Sequence, residues 1–516
     1  MNKQIKFGVI LQYAQMALNI LISLIYTPIM LRMLGDSEYG IYSLASSIIA
    51  YLTLLSLGFG ASYIRFYSRY KQSGDEDGVK KLNGLYMMVF SAIGIITLIA
   101  GLIIVFNVGI FFNETYSAND LHIAKILMLF LSINLAISFP ASVFVSYVTS
   151  QEKFIFQKLV NMGKTVLSPC LCIAVLFLGY GSIGMVIVTT ILSLIVDFFN
   201  IGYCFGKLKM RFSFRKPNFG LLKEIAFFSV FIAINQIIDQ INWQTDKIIL
   251  GKMINATAVA IYAVAANINT MYLNFSTAIS SVFTPRIHRI VNDQEKSEKQ
   301  KNKELTELFV KVGRIQFLVL GLILTGFIFF GQFFIKKWAG DNYGDSYYIV
   351  LLLISPVTIP LCQNIGIEIQ RAKNKHKFRS VVYLIMALLN VGISILFTLW
   401  WGYFGTALGT TISLFIANGL IMNIYYQKKL GINVLEFWKQ ILRMCLGLII
   451  PVACGILLLL FVNYTEIWQF LLLILAYCII YAVSVWFLSM NRYEKDFIIK
   501  PFKRVLKRDD KISKQN

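Results

Sequence analysis

Fourteen stretches of this 516-residue chain stay apolar over about 20 residues, the length a helix needs to cross the hydrocarbon core of a bilayer. The first runs from Gly8 to Leu31. The others start near Gly40, Leu85, Ile123, Leu159, Ile183, Glu224, Ala256, Ile315, Tyr347, Ser380, Gly405, Ile441 and Ile467. Composition leads to the same place. Only 14% of residues are charged, against roughly a quarter in an ordinary soluble protein, and a mean hydropathy of +0.68 calls for a hydrocarbon solvent. The expectation is an all-α integral membrane protein of about fourteen transmembrane helices. Its first helix is too long for a signal-peptide core and has no small-residue cleavage site after it, so it should stay in the membrane.

The placement of charge orients the chain. Of the 48 Lys and Arg residues, 41 fall on one alternating set of connections: the N-terminus, 65–84, 151–159, 207–223, 286–314, 371–379, 428–443 and the tail from Arg492. The opposite connections hold Arg32, Lys247, Lys252, Lys336 and Lys337, while Lys125 and Lys164 lie near or within helices. By the positive-inside rule both termini are cytoplasmic in a multi-pass protein of the cell membrane. Trp338, Trp400, Trp401 and Trp468 then fall near the outer boundary. A net charge of +22 spread in this way speaks against nucleic acid. The tail, with Lys500, Lys503, Arg504, Lys507 and Arg508, suits anionic lipid of the inner leaflet.

Chemistry-bearing residues are sparse. Seven cysteines form no CxxC pair and nearly all lie in apolar runs, which argues against disulfides and zinc. His122, His288 and His376 flank apolar runs without clustering. The expectation is that the protein is not an enzyme and uses no metal or cofactor.

Self-comparison reveals an echo. At an offset of 220, Ile41-Tyr42 aligns with Ile261-Tyr262, Leu34 with Ile254, Ser37 with Thr257, Asn19 with Asp239 and Arg69 with Arg289. At a slightly larger offset, Gly179-Tyr180-Gly181-Ser182-Ile183-Gly184 matches Gly402-Tyr403-Phe404-Gly405-Thr406-Ala407. The expected organisation is a six-helix lobe over 1–219, a second over 220–426, two further helices over 427–490 and a basic cytoplasmic tail over 491–516. Six spans between equivalent helices make the repeat parallel, with its pseudo-two-fold axis along the membrane normal.

Polar residues recur at helical spacing inside the apolar runs. Gln12, Gln15, Asn19, Ser23 and Tyr26 form one face of the first helix, and Asn235, Asp239, Asn242 and Asp246 one face of the seventh. Asn267, Thr270 and Asn274 add a third on the eighth. An Asp facing lipid at a helix centre costs about 2.5 to 3.5 kcal/mol, so these faces look onto protein or water. They are either interhelical glue or the lining of a water-filled cavity, and their length and recurrence favour the cavity.

The passages Leu31-Arg32-Met33-Leu34-Gly35-Asp36-Ser37-Glu38-Tyr39-Gly40-Ile41-Tyr42 and Asp246-Lys247-Ile248-Ile249-Leu250-Gly251, the latter followed by Ala258-Val259-Ala260-Ile261-Tyr262, carry a resemblance. Over nearly its whole length the chain resembles the Wzx-like polysaccharide flippases of the multidrug, oligosaccharidyl-lipid and polysaccharide exporter superfamily. The resemblance implies a MATE-like fold and alternating-access export of a polyprenyl-diphosphate-linked oligosaccharide from inner to outer leaflet. It also implies a polysaccharide polymerase and glycosyltransferases as partners in cell-surface polysaccharide biosynthesis.

Such a cargo needs cations for phosphate and amide or hydroxyl partners for sugars. Arg32, Lys247, Arg65 and Arg286 are the candidate phosphate contacts, although each also fits a snorkelling anchor. Gln15, Asn19, Tyr26, Asn235, Asn242, Trp243, Tyr262, Asn267 and Asn274 are candidate cavity or sugar contacts. Asp239 and Asp246 would repel a diphosphate and are candidates for a coupling ion, whereas Asp197 and Glu368 read as structural ion-pair members. Two other functions fit the same spans. A cation-coupled drug antiporter is weakened by the absence of Asp or Glu before Asp36, and a non-transporting assembly scaffold leaves the polar faces without a purpose.

Overall fold

The computed structural model describes residues 3–215, 219–462, 466–496 and 499. The basic tail from Lys500 to Arg508 lies outside the described residues, as does the side chain of Gln12.

Lipid offers the backbone no hydrogen-bond partner, so a spanning chain must satisfy its own N–H and C=O groups. Accordingly the described residues form helices and no strand. The long helices are α1 (Lys3–Ala50), α3 (Glu76–Phe106), α4 (Ala118–Ser150), α5 (Phe154–Phe177), α6 (Gly181–Gly206), α7 (Phe219–Met253), α8 (Ala256–Ser281), α10 (Glu298–Trp338), α11 (Ser346–Cys362), α13 (Lys377–Leu414), α16 (Ile449–Phe461) and α17 (Ile467–Leu488). Shorter ones lie between them: α2 (Phe59–Gln72), α9 (Thr284–Val291), α12 (Ile365–Ala372), α14 (Asn423–Tyr425) and α15 (Val434–Cys445).

Among the described residues, eleven helices are long and apolar enough to cross a membrane, and a bent pair, Gly220–Phe227 with Ile232–Met253, makes a twelfth. Two of the eleven, Tyr13–Ser56 and Lys377–Leu430, hold two membrane lengths in series. Each is broken at a glycine with positive φ, Gly35 (φ 74°, ψ 174°) and Gly402 (φ 56°, ψ −136°), where an L side chain would be strained. Counting those two twice gives fourteen passes, two of them joined to their neighbours by a single residue rather than a loop. The glycine echo has a conformational basis, since Gly179 (φ 82°) and its counterpart Gly402 are both left-handed at hairpin turns.

The chain forms two compact units. One comprises Met1–Asn267, Lys337–Ile349 and Ser380–Ser413. Its apolar core near the start of α2 is aromatic: Phe59, Tyr63, Phe66, Tyr67, Tyr86, Phe90, Phe139 and Tyr147 pack together. The connection leaving α6 is pinned beside this core, with Asn83 Nδ2 donating to the Arg211 carbonyl at 2.9 Å and Ser213 N to that of Lys80 at 2.9 Å. A Cβ on Gly84 would lie 2.1 Å from the Ser213 oxygen, so this approach requires glycine.

The other unit comprises Ile268–Lys336, Val350–Arg379 and Leu414–Asn516. Phe329, Phe330, Phe470 and Tyr477 form its aromatic core, joining α10 to α17. Beyond Leu414 the helix widens into π turns over Phe415–Met422 and Tyr426–Leu430. Here side-chain amides take up carbonyls: Asn418 Nδ2 donates to Leu414 O at 3.1 Å, and Asn423 Nδ2 to Asn418 O at 2.6 Å and Gly419 O at 3.0 Å. All seven cysteines are free thiols.

Candidate functional site

Asp246 sits on α7, about two helical turns before its end at Met253, and is 2% exposed. A buried carboxylate must be hydrogen-bonded or neutralised. Its Oδ2 accepts from the Tyr262 hydroxyl of α8 in a short contact and from Thr410 Oγ1 of α13 at 2.9 Å. Behind Thr410 the polar chain continues across both arms of α13. Asn390 Nδ2 donates to Thr410 Oγ1 at 3.2 Å, Ser394 Oγ to Asn390 Oδ1 at 3.0 Å, and the Thr398 and Thr406 hydroxyls meet at 2.7 Å. The arms come close enough because Gly405 and Gly409 face them, where a Cβ would lie 2.0 Å from Phe397 O and 2.4 Å from Ser394 Oγ.

Of these residues, Asp246 and Tyr262 are recognisable from sequence as site candidates. Their juxtaposition changes the reading of Tyr262, whose ring is buried and whose hydroxyl is committed to the carboxylate. Asn390, Ser394, Thr398, Thr406 and Thr410 are absent from the sequence-derived set. Their signal was nevertheless present, as polar steps of four on each arm, 390-394-398 and 406-410.

The remaining candidates in this unit distribute along its helices. Lys247, next to Asp246, is half-buried, as are Asn242 and Trp243. Asn235 and Asp239 are exposed on the same helix, and Asn235 Oδ1 accepts from Ser380 Oγ at 3.3 Å. On α1, Gln15 is half-buried and Asn19 exposed. Tyr26 turns toward α6, its hydroxyl 3.9 Å from Met185 Sδ. Asn267 donates to the Tyr39 hydroxyl at 3.1 Å. Close by, Tyr51 bonds the Thr245 hydroxyl, and Gln240 Nε2 reaches Thr53 Oγ1 at 3.2 Å.

Arg32 is exposed at the predicted outer end, its Nη2 donating to the Lys337 carbonyl at 3.0 Å. The same end is tied by Trp338 Nε1 to Leu24 O at 2.7 Å and by Asn342 Nδ2 to Asp36 Oδ2 at 2.7 Å. Arg65 is exposed on α2, at the opposite end. Asn274 and Arg286, both exposed, belong to the other unit. In that unit Glu368 pairs with Arg371 at 2.7 Å. In the first unit Lys164, one helix from Asp197, donates to Ser193 Oγ at 2.8 Å.

No three His, Cys, Asp or Glu side chains converge among the described residues. What the Asp246 cluster offers is oxygen, as carboxylate, hydroxyl and amide carbonyl, the ligand chemistry of hard cations and of protons.

A family model described as polysaccharide biosynthesis protein matches residues 8–291, a span that contains both the 31–42 and the 246–262 passages. A putative O-antigen transporter of Shigella flexneri is 20% identical over 402 residues, covering 76% of this chain and 91% of the relative. Among solved structures, the lipid II flippase MurJ in an inward closed conformation aligns with a TM-score of 0.69 at 19% identity, over 93% of this chain and 97% of that one. An inward-facing multidrug resistance MATE family transporter aligns at 0.64 and 14% identity, over 82% and 96%. These structures share the MATE-like fold expected from sequence.

Proposed function

Because the chain belongs to the polysaccharide biosynthesis protein family, we propose that it is a flippase for polyprenyl-diphosphate-linked oligosaccharide, moving its cargo from the inner to the outer leaflet of the cell membrane by alternating access. The observation that carries this reading is a carboxylate buried on a long apolar helix and held by hydroxyls from two further helices, in a chain whose relatives include a putative O-antigen transporter. An intramembrane acid is costly and marks an ion pathway more often than a structural accident.

In this reading residues 1–219 and 220–426 are the two repeat lobes, 427–490 the added helices, and both termini are cytoplasmic. Lys247 and Arg32 contact the diphosphate, and Arg65 and Arg286 receive it at the inner boundary. The amides of Gln15, Asn19, Asn235, Asn242, Asn267 and Asn274 meet sugar hydroxyls, and Trp243 offers a ring face. Asp246 binds the coupling cation or proton, with the Thr410 hydroxyl and Asn390 beside it, while Asp239 sits on the exposed part of the same helix. The bond between Asp246 and Tyr262 then depends on the carboxylate's occupancy, which gives the cluster two states to alternate between. The polymerase and glycosyltransferases of the polysaccharide assembly line act before and after it.

The test is reconstitution. Proteoliposomes loaded with a fluorescent polyprenyl-diphosphate oligosaccharide should flip it, and the Lys247→Gln, Arg32→Gln double variant should lose most of that activity at unchanged abundance. Full activity of the double variant sinks the phosphate role. Uptake of cationic dyes driven by a sodium or proton gradient, with no movement of the lipid, would instead identify a drug antiporter.

A further inference from the structure

Helix α15 begins a continuous 28-residue span, Val434–Phe461. At a rise of about 1.5 Å per residue, 20 residues fill a hydrocarbon core about 30 Å thick. Counting back from Phe461, the hydrocarbon boundary falls near Leu442, and the first two turns of α15 stand in the headgroup layer.

One face of α15 is packed. Val434, Phe437, Ile441 and Met444 are buried, and the Phe437 ring lies 4.9 Å from that of Phe309. The opposite face carries Leu435, Leu442 and Leu446, 75%, 67% and 54% exposed, with Lys439 and Arg443 exposed between them. Leu442 and Leu446, on the hydrocarbon side of the boundary, face acyl chains, and the spacing of four sets the two cations one turn apart on the same face. They stand where the boundary calculation places lipid phosphate.

The acids within reach are engaged elsewhere. Glu436 Oε1 accepts from Gln440 Nε2 at 2.7 Å. The segment that docks on the end of α15, through Ser489 Oγ to Met444 O at 2.8 Å, brings Glu494, but both its oxygens are held by Arg314, at 2.5 and 2.9 Å. Neither Lys439 nor Arg443 takes part in an ion pair among the described residues.

We propose that this face of α15 is a binding site for an anionic phospholipid, its phosphate held between Lys439 and Arg443 and its acyl chains running along Leu442, Leu446 and Ile449. Charge complementarity selects the occupant. Two uncompensated cations at phosphate depth favour a headgroup with net negative charge over a zwitterionic one, and the exposed leucines take the chains. The site lies outside the residues assigned to cargo, so it stands or falls independently of the flippase reading.

Native mass spectrometry of the full chain, incubated in detergent with equimolar phosphatidylglycerol and phosphatidylcholine, tests it. Phosphatidylglycerol should be retained preferentially, and Lys439→Gln and Arg443→Gln should each lower that preference about fivefold. Lys439→Arg and Arg443→Lys should preserve it. An unchanged preference in the double Gln variant means simple snorkelling anchors and overturns the proposal. Binding of undecaprenyl diphosphate with no retention of phosphatidylglycerol would assign the face to the transported lipid, and overturns it as well.

Discussion

Asp246 of α7 and Thr410 of α13 meet at 2.9 Å across 164 residues of sequence. With Tyr262 they tie three helices to one oxygen atom. Removing a donor from a buried carboxylate leaves desolvation uncompensated, at about 1–3 kcal/mol. Thr410→Val, which keeps the side chain's shape, should therefore lower the thermal midpoint measurably while leaving the protein folded. Asp246→Asn should cost less stability, since an amide still accepts from Tyr262, yet abolish any dependence of transport on sodium or pH. Gradient dependence that survives in Asp246→Asn would move the coupling site elsewhere.

This cluster marks how far the sequence could be read. Span number and the acidic residues of α7 were legible, because a 20-residue apolar run and a charge inside it are costly features with few explanations. The partners on α13 were not singled out, since Thr and Ser at steps of four also bond the preceding turn's carbonyls, as Thr398 does to Ser394 O at 2.5 Å. Which hydroxyls face a carboxylate is decided by the fold-back at Gly402, a backbone event that periodicity does not encode. The short helices α2, α9 and α12 were not read as separate elements, because each straddles the inner end of an apolar run and the basic connection that follows it.

The two glycine breaks should be intolerant of side chains. Gly402→Ala and Gly35→Ala place a Cβ in a positive-φ conformation costing roughly 1–2 kcal/mol or more. Gly409→Ala carries no such backbone cost but brings a clash with Ser394, an overpacking penalty of about 1–3 kcal/mol. Gly392, helical and with open space around its Cβ position, is the control, and Gly392→Ala should leave the midpoint unchanged or raised. Thermal unfolding of the four variants in one detergent ranks them, and equal midpoints would refute the breaks.

Arg314 and Glu494 form a buried bidentate pair, 5% and 2% exposed, that also reaches Gln440 Oε1 at 3.2 Å and Ser489 O at 2.8 Å. It fastens the end of α17 to α10 and α15. Breaking one side of such a pair strands a charge, at about 3–5 kcal/mol, whereas replacing both by apolar residues is often tolerated. Arg314→Met should thus destabilise strongly, and the Arg314→Met, Glu494→Leu double variant should recover much of the loss. Limited proteolysis around residue 490 reads the detachment directly, and a double variant no better than the single would show that the hydrogen bonds, not the charges, dominate.

The charge-derived orientation can be checked at positions the structure leaves open. Asn113 is a poor probe because its amide donates to the Lys252 and Ile254 carbonyls, and Ser297 accepts from Gln300 N at 3.4 Å. Asn119 and Gln294 are exposed. In a cysteine-free background, Asn119→Cys should react with an impermeant maleimide in whole cells, and Gln294→Cys only after permeabilisation. The reverse pattern inverts the molecule.

The last prediction concerns what drives the cycle. One elementary charge crossing 100 mV is worth about 2.3 kcal/mol, so a head group carrying roughly two negative charges gains about 4 to 5 kcal/mol on leaving a negative-inside cell. Under the proposed function, export of the anion is electrically downhill, and the step needing help is the return of the empty carrier. Asp239, exposed on α7, and Asp246, buried beneath, provide it if a cation or proton neutralises them once the diphosphate has left. An imposed inside-negative potential should then speed outward flipping by right-side-out carriers. Asp239→Asn should slow multiple turnovers more than a single one, because only the return step needs the acid. Transport that ignores the potential and follows a sodium or proton gradient would make the carboxylate the primary driver, and Asp239→Asn would then impair the first turnover as severely as the rest.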